Sequence, residues 1–253
     1  MTPLRKLTVL ATAGLIAFAP AACARGGGSA GPAGPGRSAG AAVSVGPAVS
    51  PAPSPSAVGP PVASPTEVTP TMTGRVVSAT VTYPWHWPND VGSPAVVRHD
   101  YAVPPVPRLA AIGAASHPGT GGERAYDRMS FTFTTAMPGY SFAFADQLIG
   151  DGTGQPVPVK GNGVLRVMFR QAQAHNAGGT DSSILTKPSR PLHLTRMTDY
   201  APAGDFEGVV TYGIGVGWPV HSNPQPQVRA YEVVRVLADG QMRYTVAIDI
   251  AVR

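Results

Sequence analysis

YEVVRVLADGQMRYTVAIDIAV, residues 231–252, decides the fold. Two runs alternate in hydropathy on either side of Ala238-Asp239-Gly240-Gln241, and Asp-Gly between alternating runs is a strong hairpin signal. The positive φ of a type I′ turn suits that dipeptide, and Tyr244, Val246, Ile248, Ile250 and Val252 then share the core face. Working toward the N-terminus, Val210, Tyr212, Ile214 and Val216 alternate with small or polar neighbours, which predicts a strand with one buried face. Val164 to Phe169 is a further strand, and 157–159 a short one between the turn signals Gly150-Asp151-Gly152 and Gly161-Asn162-Gly163.

The same period recurs at Met129, Phe131 and Phe133 and, after Met137-Pro138-Gly139, at Tyr140, Phe142 and Phe144. These two segments are expected to pair antiparallel. An apolar run over 109–115 and an alternating run at Val77, Ala79, Val81 and Tyr83 add a strand and a leading strand or extended arm. Residues 171–203 lack periodicity and read as a long loop, with a helical turn at 169–174. No helix of any length is convincing. About eight or nine short strands with closely spaced turns predict an all-β chain, a β-sandwich of antiparallel strands.

The N-terminal part has another character. Arg5 and Lys6 precede an apolar run over 7–18 that ends in Ala19-Pro20-Ala21-Ala22-Cys23, a secretory signal over 1–22 and too short to span a bilayer. Cleavage after the small-x-small site Ala19-Pro20-Ala21 would leave a free thiol. Cys23 is the sole cysteine of 253 residues, so it forms no intramolecular disulfide, and lipid attachment gives it a use. The stretch resembles a lipobox, with Pro20 where leucine is typical. Acyl chains on Cys23 would anchor the protein to the outer face of the cell membrane, two chains sufficing where one is marginal.

Between Ala24 and Met72 lie ten prolines and only three charges, Arg25, Arg37 and Glu67, a composition that cannot offset its conformational entropy. We therefore expect a lipid-anchored disordered linker over 23–73, about 50 residues long with a reach of roughly 40 Å as a coil. A leading strand and aromatic loop over 74–106 and the sandwich over 107–253 follow. Lysine occurs three times among nineteen basic residues, a bias that with abundant Ala, Gly, Pro and Val suggests a GC-rich, actinobacterial genome. Without the signal, seventeen basic residues face fourteen acidic ones, and no basic block points to nucleic acid.

Tyr126-Asp127-Arg128-Met129-Ser130-Phe131-Thr132-Phe133, then Pro138-Gly139-Tyr140, the segment 152–159 and Gly204-Asp205-Phe206-Glu207-Gly208-Val209-Val210 resemble the AMIN-like domain of actinobacterial secreted proteins and lipoproteins, over roughly 107–253. The resemblance implies a β-sandwich accessory module for the cell envelope, similar to the AMIN domain beside peptidoglycan amidases. Two features depart from it. His117 is separated from Asp127 by a glycine-rich insertion, and the last turn carries Asp239-Gly240-Gln241-Met242-Arg243 in place of a Pro-Pro-Arg-like turn.

Catalytic motifs are missing. There is no Gly-x-Ser-x-Gly elbow, and the six histidines (86, 99, 117, 175, 193 and 221) have no paired metal-ligand spacing, so no catalytic residue, metal or cofactor is assigned. Asp127 and Arg128 should point to opposite faces of their strand, either tying a loop to the sheet or offering Arg128 to a carboxylate or phosphate. Tyr83, Trp85 and Trp87, beside Pro84 and Pro88, and Trp218 are candidate glycan platforms or plugs at the ends of the sandwich, the commoner use of large aromatic residues near strand ends. The expected function is non-enzymatic binding of peptidoglycan or another wall glycan. The alternative is an adaptor for envelope proteins through an exposed sheet edge.

Overall fold

A computed structural model describes residues 74–89 and 92–252; the expected signal, Cys23 and the expected linker lie outside the described residues. Twelve strands follow in chain order: β1 (Gly74–His86), β2 (Ala95–Val97), β3 (Leu109–His117), β4 (Tyr126–Phe133), β5 (Gly139–Ala145), β6 (Leu148–Ile149), β7 (Pro156–Val157), β8 (Val164–Arg170), β9 (Met197–Phe206), β10 (Val209–Val216), β11 (Val228–Leu237) and β12 (Met242–Ala251). Two five-stranded sheets, β1-β11-β12-β4-β3 and β2-β5-β8-β10-β9, are antiparallel throughout, and β6 and β7 form a small flap. The chain is all-β, with no helix among the described residues.

Alternation makes each strand amphipathic, and the two apolar faces meet. Phe131 and Phe133 of the first sheet lie with ring centroids 4.9 Å from Phe169 of the second, and Val246, Ile248, Ile250, Val210 and Ile214 are fully buried around them. The expected pairing of β4 with β5 is therefore wrong: β4 pairs with β12 and β3, and β5 with β2 and β8. Residues 134–138, with Thr135 at φ +63°, carry the chain from one sheet to the other. The aromatic rows of the two strands thus join opposite walls of one core instead of lying side by side.

Three other expectations change. The hairpin of β11 and β12 turns through Leu237 to Gln241, with the Gly240 N–H donating to the Leu237 carbonyl and only Gly240 at positive φ. It is a longer turn with a left-handed glycine, not type I′. Within 171–203, residues from Met197 onward form β9, an edge strand that tolerates Pro202 because an edge leaves one row of backbone groups unpaired, and no helical turn occurs at 169–174. β10 is buried on both faces, since Leu148 of the flap sits against Gly213 and the Lys160 carbonyl lies against Gly215.

Strands β1 and β2 are members of the two sheets. β1 runs along β11 with irregularities at Val76/Ser78, Val81/Tyr83 and Tyr83/His86. The break after Val81 reverses the simple alternation read from the sequence, leaving Val81 47% exposed while Tyr83 turns into the core.

Candidate functional site

The end of β1 sorts the aromatic cluster to two places. Tyr83 packs edge-on against Phe142 at 5.1 Å and its hydroxyl donates to the Trp87 carbonyl; Trp87 also packs on the core. Trp85, between them, meets Tyr126 of β4 at 5.9 Å. Tyr126 is the register partner of His117 on β3, and their rings stack at 4.5 Å. The glycine-rich insertion between them is thus the loop of the β3–β4 hairpin, and it keeps His117 beside Tyr126.

Strand order then assembles a row. Arg128 on β4 lies opposite Asp249 on β12, which lies opposite Arg229 on β11. Asp249 is fully buried and accepts from Arg128 Nε (2.6 Å) and Nη2 (2.9 Å) and from Arg229 Nε (2.9 Å), with Arg229 Nη2 at 2.7 Å. Arg229 also donates to Glu123 at 2.7 Å. Burial of the Arg128 guanidinium works against its charge, but the hydrogen bonds and charge of Asp249 outweigh it and raise its pKa above the ordinary value. The same balance, with Glu123 added, raises Arg229.

The guanidiniums also lie over the rings. Arg229 is 4.6 Å from the centre of Trp85 and 4.8 Å from that of Tyr126, Arg124 is 5.1 Å from Trp85, and Arg128 is 5.2 Å from both Tyr126 and Tyr231. Such contacts stabilise by about 0.5–2 kcal/mol each, according to desolvation. The result is a layered aromatic and guanidinium patch at one end of the first sheet's outer face, with Trp85 half-buried and Arg124 exposed at its rim. Farther along that face the residues are small: Gly113, Ser130 and Ala247, then Thr132 bonded to Thr245 at 3.0 Å.

Asp127 points the other way, as alternation requires. It is fully buried, accepts from the Ser116 hydroxyl and from the N–H groups of Arg196 and Met197, and so ties the start of β9 to β4. Trp218, just after β10, packs partly on the core beneath the Arg196 guanidinium, 3.9 Å from its ring centre. Of the candidates named from the sequence, Trp85 and Arg128 share one patch, Tyr83 and Trp87 a second location, and Trp218 a third. His117, Arg124, Tyr126, Arg229, Tyr231 and Asp249 were not singled out as site residues. Tyr126 and His117 entered only through the family resemblance, and the charged Asp249 inside the apolar run Ile248-Asp249-Ile250 was the one further hint.

Among the described residues no group of three or more His, Cys, Asp or Glu is placed to hold a metal ion. The AMIN-like domain model matches residues 119–251, from the β3–β4 loop to the end of β12 and over half of the chain. No curated protein and no solved structure gives a significant match.

Proposed function

The chain belongs to the AMIN-like domain family, and on that footing we propose that it is a non-enzymatic module that binds cell-wall polysaccharide outside the cytoplasmic membrane, anchored by acyl chains on Cys23. The signal-like residues 1–22, the lipobox-like approach to Cys23 and the proline-rich stretch to residue 73 support an anchor and tether, and the Arg-over-Lys bias supports an actinobacterial source. The observation that carries the glycan reading is the layered patch of Trp85, Tyr126, Arg128 and Arg229. Half-buried Trp85 offers apolar surface for a sugar with the buried Tyr126 behind it, and guanidiniums held by Asp249 supply pre-oriented donors for hydroxyl or carboxylate oxygens. Tyr83, Trp87 and Trp218 enter this reading as supports of the neighbouring backbone.

The test is co-sedimentation of a soluble Cys23→Ser form with purified sacculi. Sedimentation that Trp85→Ala abolishes while the variant still unfolds cooperatively is the expected result; a folded protein that stays in solution sinks the glycan reading. A second reading, an adaptor for an envelope protein, draws support from the β1 edge, where Val76, Val77 and Val81 are 47%, 50% and 47% exposed. It predicts partner capture that Val81→Lys blocks and sacculi do not compete for.

A further inference from the structure

We propose that a pocket beneath the loop between β8 and β9 binds one pyranose unit of a sugar chain. The pocket is an open cleft of about 310 Å³ walled by Ala174, Ile184 and Val210, with Asp205, Lys187 and Tyr212 supplying polar atoms. Its roof is fixed, because the loop bonds along the edge of β3: the Leu109 N–H donates to Gln173, the Ile112 N–H to Thr186, and the Leu185 N–H to Ala110.

Tyr212 carries the argument. It is 4% exposed, and its hydroxyl has no hydrogen-bond partner among the described residues. The two other tyrosines of the core cluster are both satisfied, Tyr140 donating to Glu232 at 2.9 Å and Tyr200 to the Pro188 carbonyl at 2.6 Å. The ring is buried while the residue lines the pocket, so its unpartnered hydroxyl is open to an atom bound there. Burial, with Tyr200 and the charge of Asp205 nearby, pushes the phenol upward, so it keeps its proton and can donate.

The remaining groups set the ligand class. Asp205 is held by His175, whose Nδ1 lies 2.7 Å from Oδ2, while Oδ1 has no partner. Lys187 has no ion pair among the described residues. A carboxylate disfavours an anion, and an ammonium disfavours an amine. What satisfies acceptor, donor and phenol together, with an apolar face against Ile184 and Val210, is a neutral polyhydroxyl ring. The volume, at the small end for ligand pockets, suits one ring. The inference rests on the glycan reading for the source of that sugar, and it stands on other residues than the Trp85 patch.

The test is saturation-transfer NMR on the full mature chain carrying Cys23→Ser, with glucose, galactose, mannose and N-acetylglucosamine as probes. Tyr212→Phe keeps the ring and removes only the hydroxyl, so it should preserve or raise the unfolding midpoint while weakening sugar binding by about tenfold, the scale of one hydrogen bond in a dry site. Asp205→Asn should weaken it as well, and Trp85→Ala should not. The proposal falls if none of the four sugars binds, or if Tyr212→Phe binds as the parent does. Sacculus sedimentation without sugar binding would overturn the pocket and keep the glycan reading. Sugar binding lost in Tyr212→Phe, with no sedimentation, would keep the pocket and overturn the wall as its source.

Discussion

Replacing Asp249 by alanine should be among the costliest single changes on the outer face. The carboxylate is fully buried, and it is the acceptor for two guanidiniums whose side chains are only 23% (Arg128) and 13% (Arg229) exposed. Without it, Arg128 has no anion, and Arg229 keeps only Glu123, itself 44% exposed. Removing one partner of a buried pair costs about 3–5 kcal/mol, because the remaining charge is stranded in low dielectric. Residual solvent contact of the arginines places this case near the lower end, about 3 kcal/mol. For a domain of roughly 150–250 residues that lowers the melting temperature by about 6–12 °C. Urea unfolding followed by tryptophan fluorescence measures it, with an unchanged m-value as the sign that only stability moved. Arg128→Met and Arg229→Met combined with Asp249→Leu should recover most of the loss, since an apolar trio of similar volume leaves no guanidinium stranded. A loss below about 1 kcal/mol in Asp249→Ala, the range of exposed ion pairs, would refute the reasoning.

Three further outcomes follow from the second sheet. In Gly215→Ala the new Cβ would lie 2.0 Å from the Lys160 carbonyl oxygen, so backbone must move, and a cost of about 2–3 kcal/mol in urea titration is expected. Gly213→Ala should cost less, since the atoms it meets first belong to the Leu148 side chain. Burial tends to raise the Asp199 pKa, but hydrogen bonds from Arg190 and the Lys160 N–H, with the Arg190 charge, hold it below the usual carboxylate value. Its contribution is therefore complete above about pH 4 and lost as pH falls through the depressed folded value, so unfolding midpoints between pH 5 and 2 should drop more in the parent than in Asp199→Asn.

The strands were legible where one face is apolar and the turn is marked. β12, β10, β4 and β5 alternate cleanly, and Asp239-Gly240 announces its hairpin even though the turn is longer than type I′. Pairing was less legible, because alternation is identical whether two strands lie side by side or face each other across a core. Hence β4 and β5 were placed in one sheet. β9 was hidden by Pro202, Gly204 and two aspartates, residues that usually mark loops but are tolerated on an edge. For the patch, Trp85 and Arg128 could be picked individually. The row Arg128, Asp249, Arg229 could not, since it exists only once the order β11-β12-β4 is known. Tyr212 read as core from its period, and its period was right; the missing partner of its hydroxyl is a tertiary fact.

The family match begins at residue 119, after β1, β2 and β3, yet those strands complete both sheets. A chain beginning at residue 119 would expose β11 along the ladder it shares with β1, and β4 along the ladder it shares with β3. It would also lose Leu109 (0% exposed) and Ile112 (4%) from the core, together with the packing of Tyr83, Trp87 and Val97. Full burial of a large apolar side chain contributes about 1.5–3 kcal/mol, so these residues together match the whole net stability of an ordinary domain, about 5–15 kcal/mol. Residues 119–253 alone should show neither a cooperative thermal transition nor sharp near-ultraviolet circular dichroism, whereas 74–253 should show both. The shorter chain would also lack Trp85 and His117, leaving Tyr126 without two of its neighbours, so any glycan affinity of the patch should vanish with the fold. A cooperative melt for 119–253 would mean that the first three strands are additions to a self-sufficient sandwich, and the patch would then have to be rebuilt from Arg128, Arg229 and Asp249 alone.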